Sequence, residues 1–403
     1  MRFSQRLLQK DYLGLDRDLA AAPYDASPLA RGILASRKGD SARCIERLGP
    51  LLDSDAAIEP VLLTMTHEAL ANALVSQGAY AAAAEVWDRL LKRWGGLIDP
   101  LDREDAEGSR SFVAALRGAP VQTLDAPAGF TLPIARNGVG LLEVEVTSGD
   151  LQRPWIVDTG ANFCLLTEPL AKAAGVERVE GEAWVVRSGG VRVRVRIGIL
   201  PRLRLGPASL RNVVVIVAAE EDFHIPQLSY SIGAVLGHPV LSALSPLTFA
   251  QGRLIVGVPA PPPAGETSIW LEGLTPLLAL ESGGSRGLYV IDLGARRSYL
   301  TQKALAAQAA PESRDGEMIF GGAGDERRVP AMKTDIQFAV GGAAVTLRGI
   351  PVALQSAGAT ADAFFGLVGQ DFLQLFSSYT IDFRAMTFSV AFARDASGDQ
   401  PQA

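Results

Sequence analysis

The chain has 403 residues, 48% hydrophobic and 20% charged, with a formal net charge of −6. That balance belongs to a globular protein long enough for two or three domains, and it excludes both a disordered chain and a nucleic-acid binder held by a general basic field. Two cysteines, Cys44 and Cys164, exclude a disulfide framework, and the longest apolar run near a strand, VVVIVAA at 213–219, is far below the roughly 18 residues of a membrane span.

The start, MRFSQRLLQKDYLGLD, is interrupted by Gln, Lys and Asp where a signal peptide needs its apolar core. As written nothing directs export, so a cytoplasmic location is expected; a chain from which a leader had been removed, periplasmic or secreted, would look the same. Residues 1–120 read as helices. In THEALANALVSQGAYAAAAEVWDRLLKRW, Leu70, Leu74, Val86, Leu90 and Trp94 recur at spacings near three or four. The stretches KGDSARCIERL at 38 and QGAYAAAAEVW at 77 repeat after 39 residues, each with a Gly between helical runs. This resembles the tetratricopeptide helix-turn-helix, with Gly78, Tyr80, Ala83 and Trp87 as the best matches. An irregular helical bundle is the alternative.

From about 121 the texture changes to short Val, Ile and Leu runs broken by Gly and Pro, as in an all-β architecture. LLEVEV at 141 and VRVRVRIG at 191 alternate apolar and charged residues and read as half-exposed strands. The arginine row is read as a solvated strand face. At 259–268 a Pro-rich stretch within VPAPPPAGETS reads as a semi-rigid linker dividing the β-rich region into 121–258 and 269–394, and 395–403 reads as a flexible tail.

The two β-rich segments repeat one another. WIVDTGANFCLLTEPLAKAAG aligns with YVIDLGARRSYLTQKALAAQ, which sets Asp158 over Asp292, Gly160 over Gly294 and Thr167 over Thr301. AVLGHPVL then aligns with GLVGQDFL, their glycines falling 79 residues after Asp158 and 77 after Asp292, and Thr248 falls over Thr380. Three blocks at matching distances indicate two copies of one fold.

On DTGA followed by VLG, residues 130–392 resemble a two-lobed aspartic peptidase of the retropepsin and pepsin kind, bacterial in type. The resemblance implies a multidomain α+β protein: N-terminal α-helical hairpins, tetratricopeptide-like, followed by two homologous all-β acid-protease lobes. It implies that Asp158 and Asp292 are catalytic, on tight loops beneath a crossing formed with Val235-Leu236-Gly237 and Leu367-Val368-Gly369. Thr159, Gly160, Leu293 and Gly294 would support those loops, with both glycines expected to take backbone angles closed to other residues. Face-to-face acids hold one proton between them, so one can take a proton from water while the other hydrogen-bonds the scissile carbonyl.

RSGGV, with Ser188, Gly189 and Gly190, and FGGAGDE, with Gly321, Gly322 and Gly324, lie about 31 and 29 residues past the acids. They suggest two flap hairpins that, with Asn162 and Arg296, would bind substrate. Two ordinary hairpin turns are the alternative. The second motif is DLG rather than DTG. Leu293 has no hydroxyl, so reciprocal bracing of the two loops can come from one side only, and Arg296 and Arg297 would depress the acids' pKa if they reached them.

The expected activity is that of an aspartic endopeptidase acting on an extended peptide or protein. The other reading is a degenerate fold that binds peptides or serves as a scaffold without cutting. GGSRG at 283–287 fits G-x-S-x-G but precedes a strand, and is read as a hairpin turn. His67, His224 and His238 are scattered, so no metal and no cofactor are expected. A monomer is expected, with a protein partner possible at the helical domain, no nucleic acid and no membrane span.

Overall fold

A computed structural model of the chain describes residues 2–54, 58–186, 192–225, 229–259, 269–307, 313–322, 325–354 and 362–393. It is a mixed α+β protein. Among the described residues seven helices come first: α1 Arg2–Leu8, α2 Tyr12–Ala20, α3 Pro28–Arg37, α4 Ser41–Asp53, α5 Pro60–Ser76, α6 Tyr80–Trp94 and α7 Pro100–Ala115. Local chemistry explains their ends. Proline opens α3, α5 and α7, where the missing N–H costs nothing, and Asp40 and Asp99 cap α4 and α7 by accepting backbone N–H bonds. Gly39 and Gly78 take positive φ, +72° and +71°, and turn α3 into α4 and α5 into α6.

The strands form two large sheets. In the first segment Leu151–Val157, the strand leading into Asp158, runs parallel to Ala234–Leu236, with Ile156 opposite Val235 and Val157 opposite Leu236. Cys164–Thr167, the strand after the acid, pairs antiparallel with the other side of Ala234–Leu236. The second segment has the same arrangement. Ser285–Ile291 runs parallel to Gly366–Val368 with Ile291 opposite Val368, and Tyr299–Leu300 pairs with it antiparallel on the far side.

The last strands leave the second sheet and join the first. Ser378–Asp382 pairs with Leu247–Ala250, setting Thr248 directly opposite Thr380 with their hydroxyls 2.7 Å apart. One apolar core runs through both β segments, from Trp155 and Leu236 to Tyr289, Phe338 and Phe388.

The helices pack on both β segments. Tyr80 and Leu116 share a cluster with Val193, Ile197 and Ile216, and the α5 and α6 core continues into Trp270, Leu277 and Val290. Phe112 of α7 meets Phe163 with ring centroids 4.7 Å apart, and Ala115 sits where a Cβ on Gly181 would fall, 2.9 Å away.

A buried ionic cluster pins the helices to the second segment. Arg37, fully buried, has its Nε 3.3 Å from Glu272 Oε2; Tyr12 donates to the same oxygen at 2.7 Å and Lys10 to Oε1 at 2.7 Å. Burial pushes the Glu272 pKa up, but Arg37 and Lys10 outweigh it and hold the carboxyl below its usual range. Its charge is what keeps Arg37 compensated inside the protein.

No helix among the described residues is long and apolar enough to cross a membrane. The sequence GGSRG forms a two-residue hairpin turn at Gly283 and Gly284, both with positive φ, between Thr275–Ser282 and Ser285–Ile291. Nearly all of the proline-rich stretch and the tail beyond Ala393 lie outside the described residues.

Candidate active site

Each acid emerges from a strand that the later apolar segment grips. The backbone N–H of Asp158 donates to Leu236 O and that of Asp292 to Val368 O, both at 3.1 Å. Each loop then folds back on its own carboxylate. Gly160 N–H donates to Asp158 Oδ1 at 2.7 Å, and Gly294 N–H donates to Asp292 Oδ1 at 2.8 Å. Further along, His238 N–H donates to Ala161 O and Gln370 N–H to Ala295 O, at 2.8 and 2.9 Å, which closes each loop against the segment that follows its glycine.

The two carboxyls lie within hydrogen-bonding reach of one another, although they are 134 residues apart in sequence. Their environments are unequal. Burial raises the Asp158 pKa, while hydrogen bonds from Asp292 and from the N–H groups of Gly160, Ala161 and Gly294 oppose the rise. Asp292 is raised well above the usual carboxylate range, first by burial and then by the neighbouring charge of Asp158. The pair therefore keeps one proton between them into a pH range where isolated acids would both be ionised.

Thr159 is fully buried and acts across the gap. Its hydroxyl donates to Ile291 O at 2.7 Å and accepts from Leu293 N–H at 3.1 Å. Leu293, also fully buried, returns no such bond from its side chain and packs in the shared core. The bracing is thus one-sided as regards hydroxyls.

The glycines serve a purpose different from the one expected. Neither Gly160 nor Gly294 has a positive φ, so backbone conformation does not demand glycine at either place. What excludes a side chain is the opposite carboxyl: a Cβ on Gly160 would lie 2.8 Å from Asp292, and one on Gly294 would lie 2.5 Å from Asp158. Each glycine is the space the other acid occupies.

Of the other sequence-derived candidates, Asn162 is exposed and its Oδ1 accepts from Thr275 Oγ1 at 3.2 Å, so it bridges the two segments. Arg296 and Arg297 are exposed, and among the described residues no ion pair joins either to the acids. Gly321 and Gly322 end the strand Ser313–Gly322, opposite Glu326 and Asp325. The equivalent hairpin of the first segment joins Glu177–Val186 to Arg192–Leu205. Ser188, Gly189, Gly190 and Gly324 lie outside the described residues.

Residues that the sequence reading passed over also hold the site. Ser298 donates from both N–H and Oγ to Asp371, while its Oγ accepts from Gly369 N–H at 3.0 Å. At the matching place in the first segment Gly237 N–H meets Cys164 Sγ at 3.4 Å. Gln370 donates to Leu293 O at 2.7 Å and accepts from Arg136 at 2.8 Å. The signal for Ser298 was its alignment with Cys164, six residues past each acid; Arg136 carried none.

An aspartyl protease family model matches residues 144–240. The match takes in Asp158, Thr159 and Gly160 together with Val235-Leu236-Gly237, so the likeness falls on the two parallel strands that pair beside the first acid. Among solved structures, a retropepsin-like aspartic protease from Rickettsia conorii is similar at 18% identity and a TM-score of 0.23, over 34% of this chain and 94% of that chain. No curated protein matched the chain.

Proposed function

We propose that the protein is an aspartic endopeptidase that hydrolyses peptide bonds in an extended peptide or protein, with Asp158 and Asp292 as its catalytic pair. The approach of the two carboxyls to hydrogen-bonding reach, one from each β segment, carries this reading. Asp292, protonated in this reading, hydrogen-bonds the scissile carbonyl. Asp158, whose charge is supported by three backbone N–H groups, takes the proton from the attacking water.

In this reading 121–258 and 269–394 are duplicated lobes with 259–268 between them. Thr159, Gly160, Leu293 and Gly294 shape the loops. Asn162 and Arg296 stand beside the cleft, and the hairpins bearing Ser188, Gly189 and Gly190 and bearing Gly321, Gly322 and Gly324 cover the substrate, whose main chain pairs as an added strand. The tetratricopeptide-like residues 1–120 form a recruiting surface, and the chain acts as a monomer.

One observation favours a binder that does not cut, namely the missing hydroxyl at Leu293. A diverse peptide library separates the two readings. Asp158→Asn is expected to abolish turnover while the fold is kept; turnover equal to that of the unaltered protein overturns the peptidase reading, and retained peptide affinity with no cleavage by either protein establishes the binder.

A further inference from the structure

We propose that Gln370 is a positioning residue for the Asp292 loop, held in place from the opposite β segment by Arg136, and that this chain of bonds replaces the brace that a hydroxyl at position 293 would supply. The proposal rests on the peptidase reading and deepens it.

The asymmetry of the two loops motivates it. Thr159 ties the Asp158 side to Ile291 O and Leu293 N–H, whereas Leu293 has only methyl groups to offer in return. A loop carrying one of two interdependent acids needs its backbone fixed to within about half an ångström. Gln370 supplies the fixing bond. It is 1% exposed, its Nε2 donates to Leu293 O at 2.7 Å, and its backbone N–H holds Ala295 O at 2.9 Å. The carbonyls on either side of Gly294, whose N–H supports Asp292, are therefore both tied to one residue.

Arg136 settles which way the amide faces. Its guanidinium can only donate, so the bond from Nη1 at 2.8 Å fixes Oε1 toward Arg136 and leaves the NH₂ for the Leu293 carbonyl. Arg136 ends the strand Phe130–Arg136 of the first segment and is itself steadied by Gly140 O at 2.8 Å. The chain Gly140, Arg136, Gln370, Leu293 thus makes a second crossing between the two β segments, separate from the Thr159 bonds. Two separate cross-ties resist sliding, where one alone would act as a pivot.

The matching position in the first segment behaves differently. His238 makes the same backbone bond, to Ala161 O, but its ring stands edge-on to Phe383 at 4.9 Å and its buried Nδ1 has no partner. The side-chain brace is found at the loop that lacks a hydroxyl. An amide is suited to the task because it offers a donor and an acceptor at a fixed spacing and carries no charge to disturb the acids.

The test uses the full-length protein with Gln370→Leu, Arg136→Met, the double variant, and Gln370→Leu combined with Leu293→Thr. Gln370→Leu is expected to lower kcat roughly tenfold with KM within about twofold, and to draw together the two apparent pKa values of the acid pair in the pH profile. Arg136→Met changes the same quantities in the same direction, the double variant is no worse than Gln370→Leu alone, and Leu293→Thr restores part of the loss.

A lowered thermal midpoint with unchanged kcat and pH profile in Gln370→Leu overturns the proposal, and so do losses that multiply in the double variant. If Gln370→Leu does not fold, Arg136→Met at the exposed end of the chain decides the matter. Carboxyl-carbon NMR titration of Asp158 and Asp292 reads the loop without substrate. A protein in which Asp158→Asn leaves turnover intact therefore fails the peptidase reading alone, while unmoved titrations in the Gln370 variant fail this one.

Discussion

Alanine at Gly294 or Gly160 places a methyl group where the structure has room only for the opposite acid. At Gly294 the added Cβ meets the Asp158 carboxyl at 2.5 Å, and ordinary contact begins at 3.4 Å, so the two loops must part by about 0.9 Å. At Gly160 the corresponding contact with Asp292 is 2.8 Å, and the parting is about 0.6 Å. The acids cannot simply turn aside, because each keeps Oδ1 on the N–H of the glycine in its own loop. Since neither glycine has a positive φ, alanine adds little backbone strain and the clash is isolated. A displacement approaching 1 Å at a reacting pair costs on the order of 10²-fold in rate. We expect Gly294→Ala to lower kcat on a cleaved peptide by about that factor, Gly160→Ala by less, and both to retain their circular dichroism. Wild-type kcat in Gly294→Ala, or a larger loss at Gly160 than at Gly294, refutes the reasoning.

Asp292→Asn removes a buried carboxyl whose proton affinity folding raises. An acid with a raised folded pKa favours the folded state less as pH climbs from its unfolded value toward its folded one, so the variant should melt higher than the unaltered protein near neutrality and converge with it below about pH 4. A variant that melts lower at neutral pH contradicts this. Thr159→Val keeps shape but orphans Ile291 O and Leu293 N–H, at roughly 1–3 kcal/mol per buried group, while Thr159→Ser should stay near wild type in denaturant titrations. Glu272→Ala strips the fully buried Arg37 of its nearer carboxylate and should cost roughly 3–5 kcal/mol, less what Glu68 at 3.8 Å restores. Because the Glu272 pKa is depressed, its contribution is present above the ordinary glutamate range and is lost as pH falls through the folded value; a Glu272→Ala protein no less stable than wild type at pH 7 contradicts the assignment.

The features legible in the sequence were those with a local or repeated pattern. Alternation marked the strand Leu142–Ser148, whose residues Leu142, Val144, Val146 and Ser148 are buried while Glu145 is exposed. Gly78 marked the turn between α5 and α6, and the repeat alignment placed Thr248 over Thr380, which lie opposite one another in adjacent strands. The role of Gly160 and Gly294 was misread because a glycine in a tight loop signals φ first, and only the approach of a distant carboxyl reveals a need for space. Arg136 and Gln370 are 234 residues apart, and no local period connects them. Arg37 in ILASRKGD looks like any helix-ending surface cation; its burial depends on Glu272, which the fold brings from 235 residues further along the chain.

The pairing of Leu247–Ala250 with Ser378–Asp382 also bears on when the first sheet can be completed. A nascent chain that has emerged only as far as Val256 bears one acid with nothing across from it, and presents Leu247–Ala250 as a bare edge able to accept another copy of itself. Only after residue 382 has left the ribosome can that edge be capped by its proper neighbour. Synthesis order thus leaves the first sheet open until nearly the whole chain has been made, and the strand that ends the risk of mispairing is among the last to appear.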